Sequence, residues 1–460
     1  MLLYVLGHPF HYEMENLCRL FFPEEKIRVL RGRESEPVGR QRLVPANAAI
    51  TRLEQAGDCV RLSAALYCAG KRWMLAKTLQ GAAARRSAAQ ELCLAQQLFV
   101  LLRRCTGVTP PWGLLTGVRP SKLMLRLRRE KGEPAAMDYF RRVLWVSEEK
   151  TALAARVART EEPVLAKTAP ESFSLYVSIP FCPSRCSYCS FVSHTVDRVS
   201  AQKLVPIYLE KLCEELRQTA ALAARLGLRM ESVYVGGGTP TSLSAAQMEQ
   251  LCACLRESFD WRTCGEFTVE AGRPDTVDAQ KLGVLRRAGV NRISINPQSM
   301  EDAVLAGVGR RHTAAQTLEA FALARALGFD NINMDLIAGL PGDSVAGFAR
   351  SLEALLALKP ENITVHTLAH KRAAALTRQE RTLQGAQMIE GMLAKAAGRL
   401  PEAGYQPYYM YRQSRSLGNL ENLGWCLPGR ECRYNIDMME ESHSVLACGA
   451  GAVTKLKAPG

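Results

Sequence analysis

With 460 residues, 47% of them hydrophobic and 23% charged, the chain is long enough for two or three packed domains, and its core-forming content excludes a fibrous or disordered protein. No apolar run approaches the roughly 18 to 20 residues of a membrane span, and the opening "MLLYVLGHPFHYEMEN" lacks the basic start and cleavage site of a signal peptide, so a cytoplasmic protein is expected. A net charge of +14 calls for an anionic partner, without separating nucleic acid from a small polycarboxylate or an acidic protein.

From the N-terminus, short strands are expected near 1–6 and 47–54, and "CVRLSAALYCAGKRWMLAKTL" reads as a hairpin turning at its central "AGK". Helical patterns follow at about 85–105 and 137–160, which gives an N-terminal α+β domain over 1–165. From about 172 the rhythm becomes strand, loop, helix: "FSLYVSI", "ESVYVGG", "EFTVEAG", "NRISINPQ", "NINMDLIAG" and "NITVHTLAH" each open a unit, with helices over 201–226, 244–257, 277–288, 313–327 and 343–357. Six such units imply parallel strands with crossover helices. The expected fold is therefore α/β, a partial (β/α)6 barrel over 166–375 with a small helix-and-strand extension over 376–460. In barrels of this kind the chemistry gathers at the C-terminal ends of the strands.

The fifteen cysteines are odd in number, and Cys93, Cys213, Cys252 and Cys254 sit in apolar helical patterns, so reduced core thiols are expected rather than a disulfide framework. Three others stand apart. "IPFCPSRCSYCSF" places Cys182, Cys186 and Cys189 within eight residues. Soft thiolates favour iron–sulfur clusters or zinc. Three of them on one short loop can wrap a corner of a cubane cluster, leaving one iron open to a small molecule bearing an amine and a carboxylate. A structural zinc needs a fourth ligand, for which His194 is the nearby side chain.

The next loop, "YVGGGTPT", follows a strand directly, yet no "GK[ST]" follows it and no "GxGxxG" is present, so a nucleotide triphosphate site is not expected. Its glycines let backbone groups approach a ligand, with Pro240 stiffening the turn; a plain strand-to-helix turn is the bland alternative. The run "RPSKLMLRLRREKG" reads either as a solvated helix face or as a nucleic-acid footprint. His366 and His370 in "VHTLAH" alternate along a strand and share a face.

With these motifs in place, the sequence resembles the radical S-adenosylmethionine (SAM) superfamily: "CPSRCSYC" fits its CxxxCxxC signature, including the aromatic Tyr188 before the last cysteine. "LYVSIPFC", "VGGGTPT", "RISINPQS", "GRRHT" and "MDLIAGLPG" occur in the order seen in oxygen-independent coproporphyrinogen III oxidases. "PPWGLLTGVRPSKL", "LGNLENLGW" and "GAGAVTK" resemble the HemZ-type branch of that family, whose members continue where this chain soon stops.

The resemblance implies a [4Fe–4S] cluster on Cys182, Cys186 and Cys189, with SAM on the open iron and Tyr176 against both. It implies that Gly237, Gly238 and Thr239 line the methionine end of SAM, that Glu270 accepts a hydrogen bond from it, and that Gln298, Arg310 and Asp335 hold the remainder. All but Arg310 and Tyr176 are expected at strand C-termini. The implied activity is radical oxidative decarboxylation of the propionates of coproporphyrinogen III to vinyl groups. An electron donor such as flavodoxin or ferredoxin is implied with it, and Arg273 and Arg412 are candidates for an anionic porphyrinogen's carboxylates. Two positions depart from the oxidases proper: Phe191 replaces a further cysteine and Ser178 a histidine. The same Phe marks relatives that resemble haem chaperones. A haem-binding chaperone is therefore one rival, and a tRNA-modifying radical enzyme another, although no RNA-binding motif supports nucleic acid.

Overall fold

A computed structural model describes residues 1–33, 47–191, 194–196, 199–369, 383–413 and 420–457. The chain forms two compact units, Met1–Gly117 with Lys131–Ala152, and Val118–Glu130 with Leu153–Gly460.

The first unit holds β1 (Leu2–Leu6), α1 (His11–Phe21), β2 (Arg28–Gly32), β3 (Ala48–Ala56), β4 (Cys59–Cys68), β5 (Lys71–Gln80), α2 (Gly81–Arg85) and α3 (Ser87–Thr106). The sheet order is β2-β1-β3-β4-β5, with β1 parallel to both neighbours and β3 to β5 an antiparallel meander. The expected hairpin turns at Ala69 and Gly70, both with positive φ (50° and 73°), as a tight two-residue turn requires. Every second residue of the strands, among them Leu3, Val5, Leu62 and Leu66, packs with Met14 and Leu17 of α1 and Leu94, Leu98 and Phe99 of α3. Cys68 and Cys105 are joined as a disulfide, an exception to the reduced state expected of the chain, whereas Cys93, Cys213, Cys252 and Cys254 are free and buried. The continuous helix expected over 137–160 is broken. A short α5 (Glu133–Asp138) runs into a π-helical turn over Tyr139–Val143, and Trp145 has φ 56° before α6 (Glu148–Leu165) begins.

In the second unit the basic run forms α4 (Pro120–Lys131), an amphipathic helix that buries Met124, Leu125 and Leu127. Its charge is offset in part: Arg119 and Lys122 pair with Glu441, and Arg128 and Arg129 with Glu162.

The rest of this unit is built on β6 (Ser172–Ile179). The two-residue strands β7 (Phe181–Cys182) and β8 (His194–Thr195) follow, then α7 (Val199–Arg225), β9 (Arg229–Gly237), α8 (Ala245–Ser258), β10 (Glu266–Glu270), α9 (Ala279–Arg287) and β11 (Arg292–Ser294). After α10 (Asp302–Gly307) and α11 (Ala314–Ala326) come β12 (Ile332–Ala338), α12 (Val345–Leu358) and β13 (Asn362–Thr367). The chain ends with α13 (Leu383–Glu402), β14 (Gln406–Arg412), β15 (Glu421–Cys426), α14 (Arg433–Glu440) and β16 (Ser444–Cys448). The six expected strands β6, β9, β10, β11, β12 and β13 lie side by side in sequence order and parallel. β16 adds to the β6 edge in parallel, while β15 and β14 add to β13 as an antiparallel pair. Among the described residues the two edge strands do not pair, so the sheet is an open, partial barrel.

Parallel strands covered on both faces usually read as unbroken apolar runs. These strands alternate instead. Val233, Val235, Phe267, Val269, Met334 and Leu336 are buried on one face, and their neighbours Tyr234, Glu270, Asn333 and Asp335 point to the other. The second face is concave. Helix α14 packs against both β14 and β9, near opposite ends of the strand order, which requires the sheet to curl around it. Glu266 at the start of β10 accepts from the backbone N–H groups of Arg433 (2.8 Å) and Tyr434 (3.2 Å), so a carboxylate meets the positive end of α14.

Candidate active site

The cysteine loop leaves the C-terminal end of β6. It is pinned on two sides. Gly238 N–H donates to Ile179 O (2.8 Å) and Thr239 N–H to Phe181 O (2.7 Å), while Ser187 N–H donates to Val308 O (3.0 Å) and the Ser184 hydroxyl to Gly309 O (3.2 Å). The glycines of "GGGT" make the first of these contacts possible. A Cβ on Gly238 would stand 2.6 Å from Phe181 O and 3.0 Å from Cys182 Sγ, and Gly237, at φ 105°, would bring one within 2.8 Å of Ser178 Oγ.

Above α14 the concave face opens into a cavity of about 410 Å³. All eleven residues assigned from the sequence, Tyr176, Cys182, Cys186, Cys189, Gly237, Gly238, Thr239, Glu270, Gln298, Arg310 and Asp335, line it. Their placement differs from expectation at one point. Asp335 lies in the middle of β12, not at its end, and reaches the cavity because the pleat turns it to the concave face. Gln298 stands past β11 and bridges to β12: its N–H donates to Asp335 O (2.9 Å) and its carbonyl accepts from Ile337 N–H (2.9 Å). Its φ is 70°, and among the described residues its buried side-chain Oε1 has no hydrogen-bond partner. A strained backbone and an unsatisfied buried acceptor in one residue of the cavity wall are features that cluster at functional sites.

The carboxylates are differentiated. Burial pushes Glu270 up to about 7, against a hydrogen bond from the Tyr234 hydroxyl (2.6 Å) and with added repulsion from Asp335. Burial also acts on Asp335, but hydrogen bonds from His366, Asn333 and Thr364 outweigh it and hold the carboxyl below its usual range. Asn333 Nδ2 lies 2.7 Å from Asp335 Oδ1 and His366 Nε2 3.5 Å from Oδ2. Tyr411 OH stands 3.4 Å from the other nitrogen of His366. Arg310 is fixed by Tyr188 OH (3.1 Å) and by the carbonyl of Asn296 (2.6 Å). Tyr176 stacks near Tyr234 and Tyr434, with ring centroids 6.3 and 6.2 Å away.

Several neighbours escaped sequence reasoning. Asn296, Asn333, Thr364 and Tyr411 line the cavity, and the period-two alternation of polar residues in "NINMDLI" and "NITVHT" is the signal that marks Asn333 and Thr364. His366 also lines it, and His370 lies outside the described residues. Arg412 is corrected: it is buried on β14, not among the residues lining the cavity, and burial lowers its pKa to about 10. Arg273 is corrected too. It lines the cavity, but its guanidinium is bound to Asp275 and the cysteine loop. His194 sits on β8 beside Phe181, outside the lining residues.

The thiol arrangement bears on the metal. Among the described residues no three His, Cys, Asp or Glu side chains converge on a point that would suit a single ion. Three thiols on one short loop suit three corners of a cubane cluster, whereas tetrahedral zinc needs a fourth ligand and His194 lies outside the lining residues. Burial raises the Cys189 thiol, with Cys186 and Cys182 adding to it; binding to iron would relieve that crowding.

The pattern described for the Radical SAM superfamily matches residues 176–355, a span that contains all eleven. The oxygen-independent coproporphyrinogen-III oxidase-like protein HemZ of Bacillus subtilis is 40% identical over 362 residues, covering 77% of this chain and 72% of that protein. The chain belongs to the radical SAM superfamily, in the HemN/HemZ-like family. Relatives also include the Heme chaperone HemW of Bacillus subtilis, 38% identical over 42% of this chain and 50% of that protein. HemW of Mycobacterium tuberculosis is 31% identical over 61% and 69%. Among solved structures, the coproporphyrinogen III oxidase HemN of Escherichia coli, described as a radical SAM enzyme, superposes with a TM-score of 0.51 at 25% identity, over 65% of this chain and 68% of that one. Radical SAM proteins use a [4Fe–4S] cluster and SAM, and the cysteine wall, the glycine cradle and the orphaned Gln298 acceptor of this radical SAM barrel fit both groups.

Proposed function

We propose that this radical SAM protein oxidatively decarboxylates two propionates of coproporphyrinogen III to vinyl groups, giving protoporphyrinogen IX. The observation that carries the reading is the convergence of the eleven residues on one cavity, in a chain 40% identical to HemZ. Cys182, Cys186 and Cys189 would hold the cluster, and Gly237, Gly238, Thr239, Glu270, Gln298, Arg310 and Asp335 would hold SAM. Together, when bound, the two groups supply the one-electron cleavage of SAM and the hydrogen-atom abstraction that begins decarboxylation.

The chain's own part is placement and shielding. Gly237 and Gly238, which carry no Cβ, would leave room for the methionine end of the cofactor. Glu270 would accept from its amine, and Asp335, whose carboxyl is held below its usual range by hydrogen bonds from His366, Asn333 and Thr364, would hold its hydroxyl groups. Tyr176, backed by the tyrosine stack, walls the reacting region from water. The electron would come from a donor such as flavodoxin or ferredoxin in the cytoplasm. No helix among the described residues is long and apolar enough to cross a membrane.

A haem chaperone is the second reading, favoured by Phe191, which is 58% exposed at the cavity, and by the HemW relatives. A tRNA reading has less behind it, since the basic run is an amphipathic helix with four of its cations beside Glu441 and Glu162. The deciding experiment is an anaerobic incubation with SAM, dithionite and coproporphyrinogen III, followed by chromatography of the oxidised porphyrins. Vinyl products are expected. SAM cleavage without them, with stoichiometric haem binding on titration, would establish the chaperone instead.

A further inference from the structure

We infer that Arg273 is a positioning residue that raises the reduction potential of the cluster by donating a hydrogen bond to Cys186. The inference rests on the reading of Cys182, Cys186 and Cys189 as cluster ligands. Arg273 follows β10 in "EAGRPD" and is 3% exposed. Its donors are divided among three partners. Nη1 lies 3.6 Å from Cys186 Sγ and Nη2 3.1 Å from Ser184 Oγ, while Nε and Nη2 reach Asp275 Oδ1 and Oδ2 at 3.1 and 3.2 Å. The bidentate carboxylate fixes the plane of the guanidinium. The fixed plane aims one N–H at the sulfur and another into the loop that carries it.

This geometry gives Arg273 a different task from carboxylate recognition. A guanidinium already paired with Asp275 and buried to this degree has little left for a substrate anion. Arg310, the other buried cation beside the loop, directs Nε to Tyr188 and Nη1 to backbone carbonyls. Hydrogen bonds to ligand sulfurs are among the factors that set iron–sulfur potentials, because they stabilise the more negative, reduced cluster more than the oxidised one. The positive charge acts in the same sense, and burial limits its screening. Asp275 opposes it in part.

The test is a mediated reductive titration of the full chain, reconstituted anaerobically with iron and sulfide and followed by electron paramagnetic resonance. Arg273→Gln is expected to take up as much iron as the unaltered protein and to show a more negative midpoint potential. Asp275→Asn, which leaves the guanidinium without its counter-charge, is expected to shift the potential the opposite way. A merely structural role moves neither potential in this signed pattern. If Arg273→Gln takes up no iron, Asp275→Asn decides alone. An unmoved potential in a fully loaded variant, or shifts of the same sign in both, overturns the inference. Absence of iron from the unaltered protein would remove the cluster reading itself, and iron content separates that failure from this one.

Discussion

Tyr234 donates its hydroxyl to Glu270 at 2.6 Å, yet the Glu270 carboxyl remains pushed up to about 7. Burial outweighs the hydrogen bond, and the Asp335 charge adds to it. One acidic group of the cavity thus titrates near neutrality while its neighbour Asp335 stays ionised.

If Glu270 must be ionised to accept from the SAM amine, SAM affinity falls by up to about tenfold for each pH unit below its pKa of about 7. Stability runs the other way. A carboxyl raised from 4.5 to about 7 favours folding fully below the lower value and loses that contribution as pH climbs through the higher one. Glu270→Gln should flatten both profiles, and thermal melts of the protein without cofactors should show it more stable than the parent at pH 8. Unchanged slopes in isothermal titrations with SAM would refute the assignment.

Asp335→Asn should raise the SAM concentration for half-maximal 5′-deoxyadenosine formation by roughly 10- to 100-fold, the worth of a charged hydrogen bond of about 1.5–3 kcal/mol. The saturated rate should change much less, because the residue binds and does not carry electrons. A loss confined to the saturated rate would count against a binding role.

Cys186→Ala should abolish iron uptake, whereas Cys254→Ala should leave it intact. Cys254 is buried on α8 with its thiol directed to Cys213 O at 3.6 Å, remote from any strand end. Iron and sulfide determinations after reconstitution check the pair, and equal losses would mean that the ligands are misassigned.

Glu161 on α6 is fully buried, neither of its oxygens has a hydrogen-bond partner among the described residues, and burial, with Glu440 nearby, holds its carboxyl well above the usual range. Its contribution to stability is present at low pH and lost as pH rises through that raised value. Glu161→Gln should therefore raise the melting temperature by a few degrees, about 2–4 °C per kcal/mol recovered, at pH 8 and less at pH 5. A gain that does not grow with pH would point away from the carboxyl's charge.

Much of the site was legible because it lies on loops and strand faces with local signatures. The cysteine spacing, the glycine run and the polar alternation of the parallel strands are all short-range patterns, and each maps onto the cavity wall. What sequence could not supply is long-range. Arg273 and Arg412 look alike as free basic residues, and only the fold shows one bound to Asp275 and the other buried on β14. The basic run reads as a charge cluster until Glu441 and Glu162, distant in sequence, arrive beside it. Asp335 misleads for a local reason: β12 continues three residues beyond it, so pleat direction and not strand length delivers its side chain.

The position of β16 has a consequence for synthesis on the ribosome. β6, the strand that launches the cysteine loop, keeps one edge unpaired until β16 emerges, and Ser178 waits for Ala450, 272 residues later, to accept its hydroxyl. At about 5–20 residues per second, that interval is on the order of tens of seconds. For that time the first barrel strand offers an open template to other nascent chains. Iron loading into a loop whose supporting strand still lacks its neighbour would occur on an unfinished wall, so metallation is expected to follow the pairing of β16 with β6.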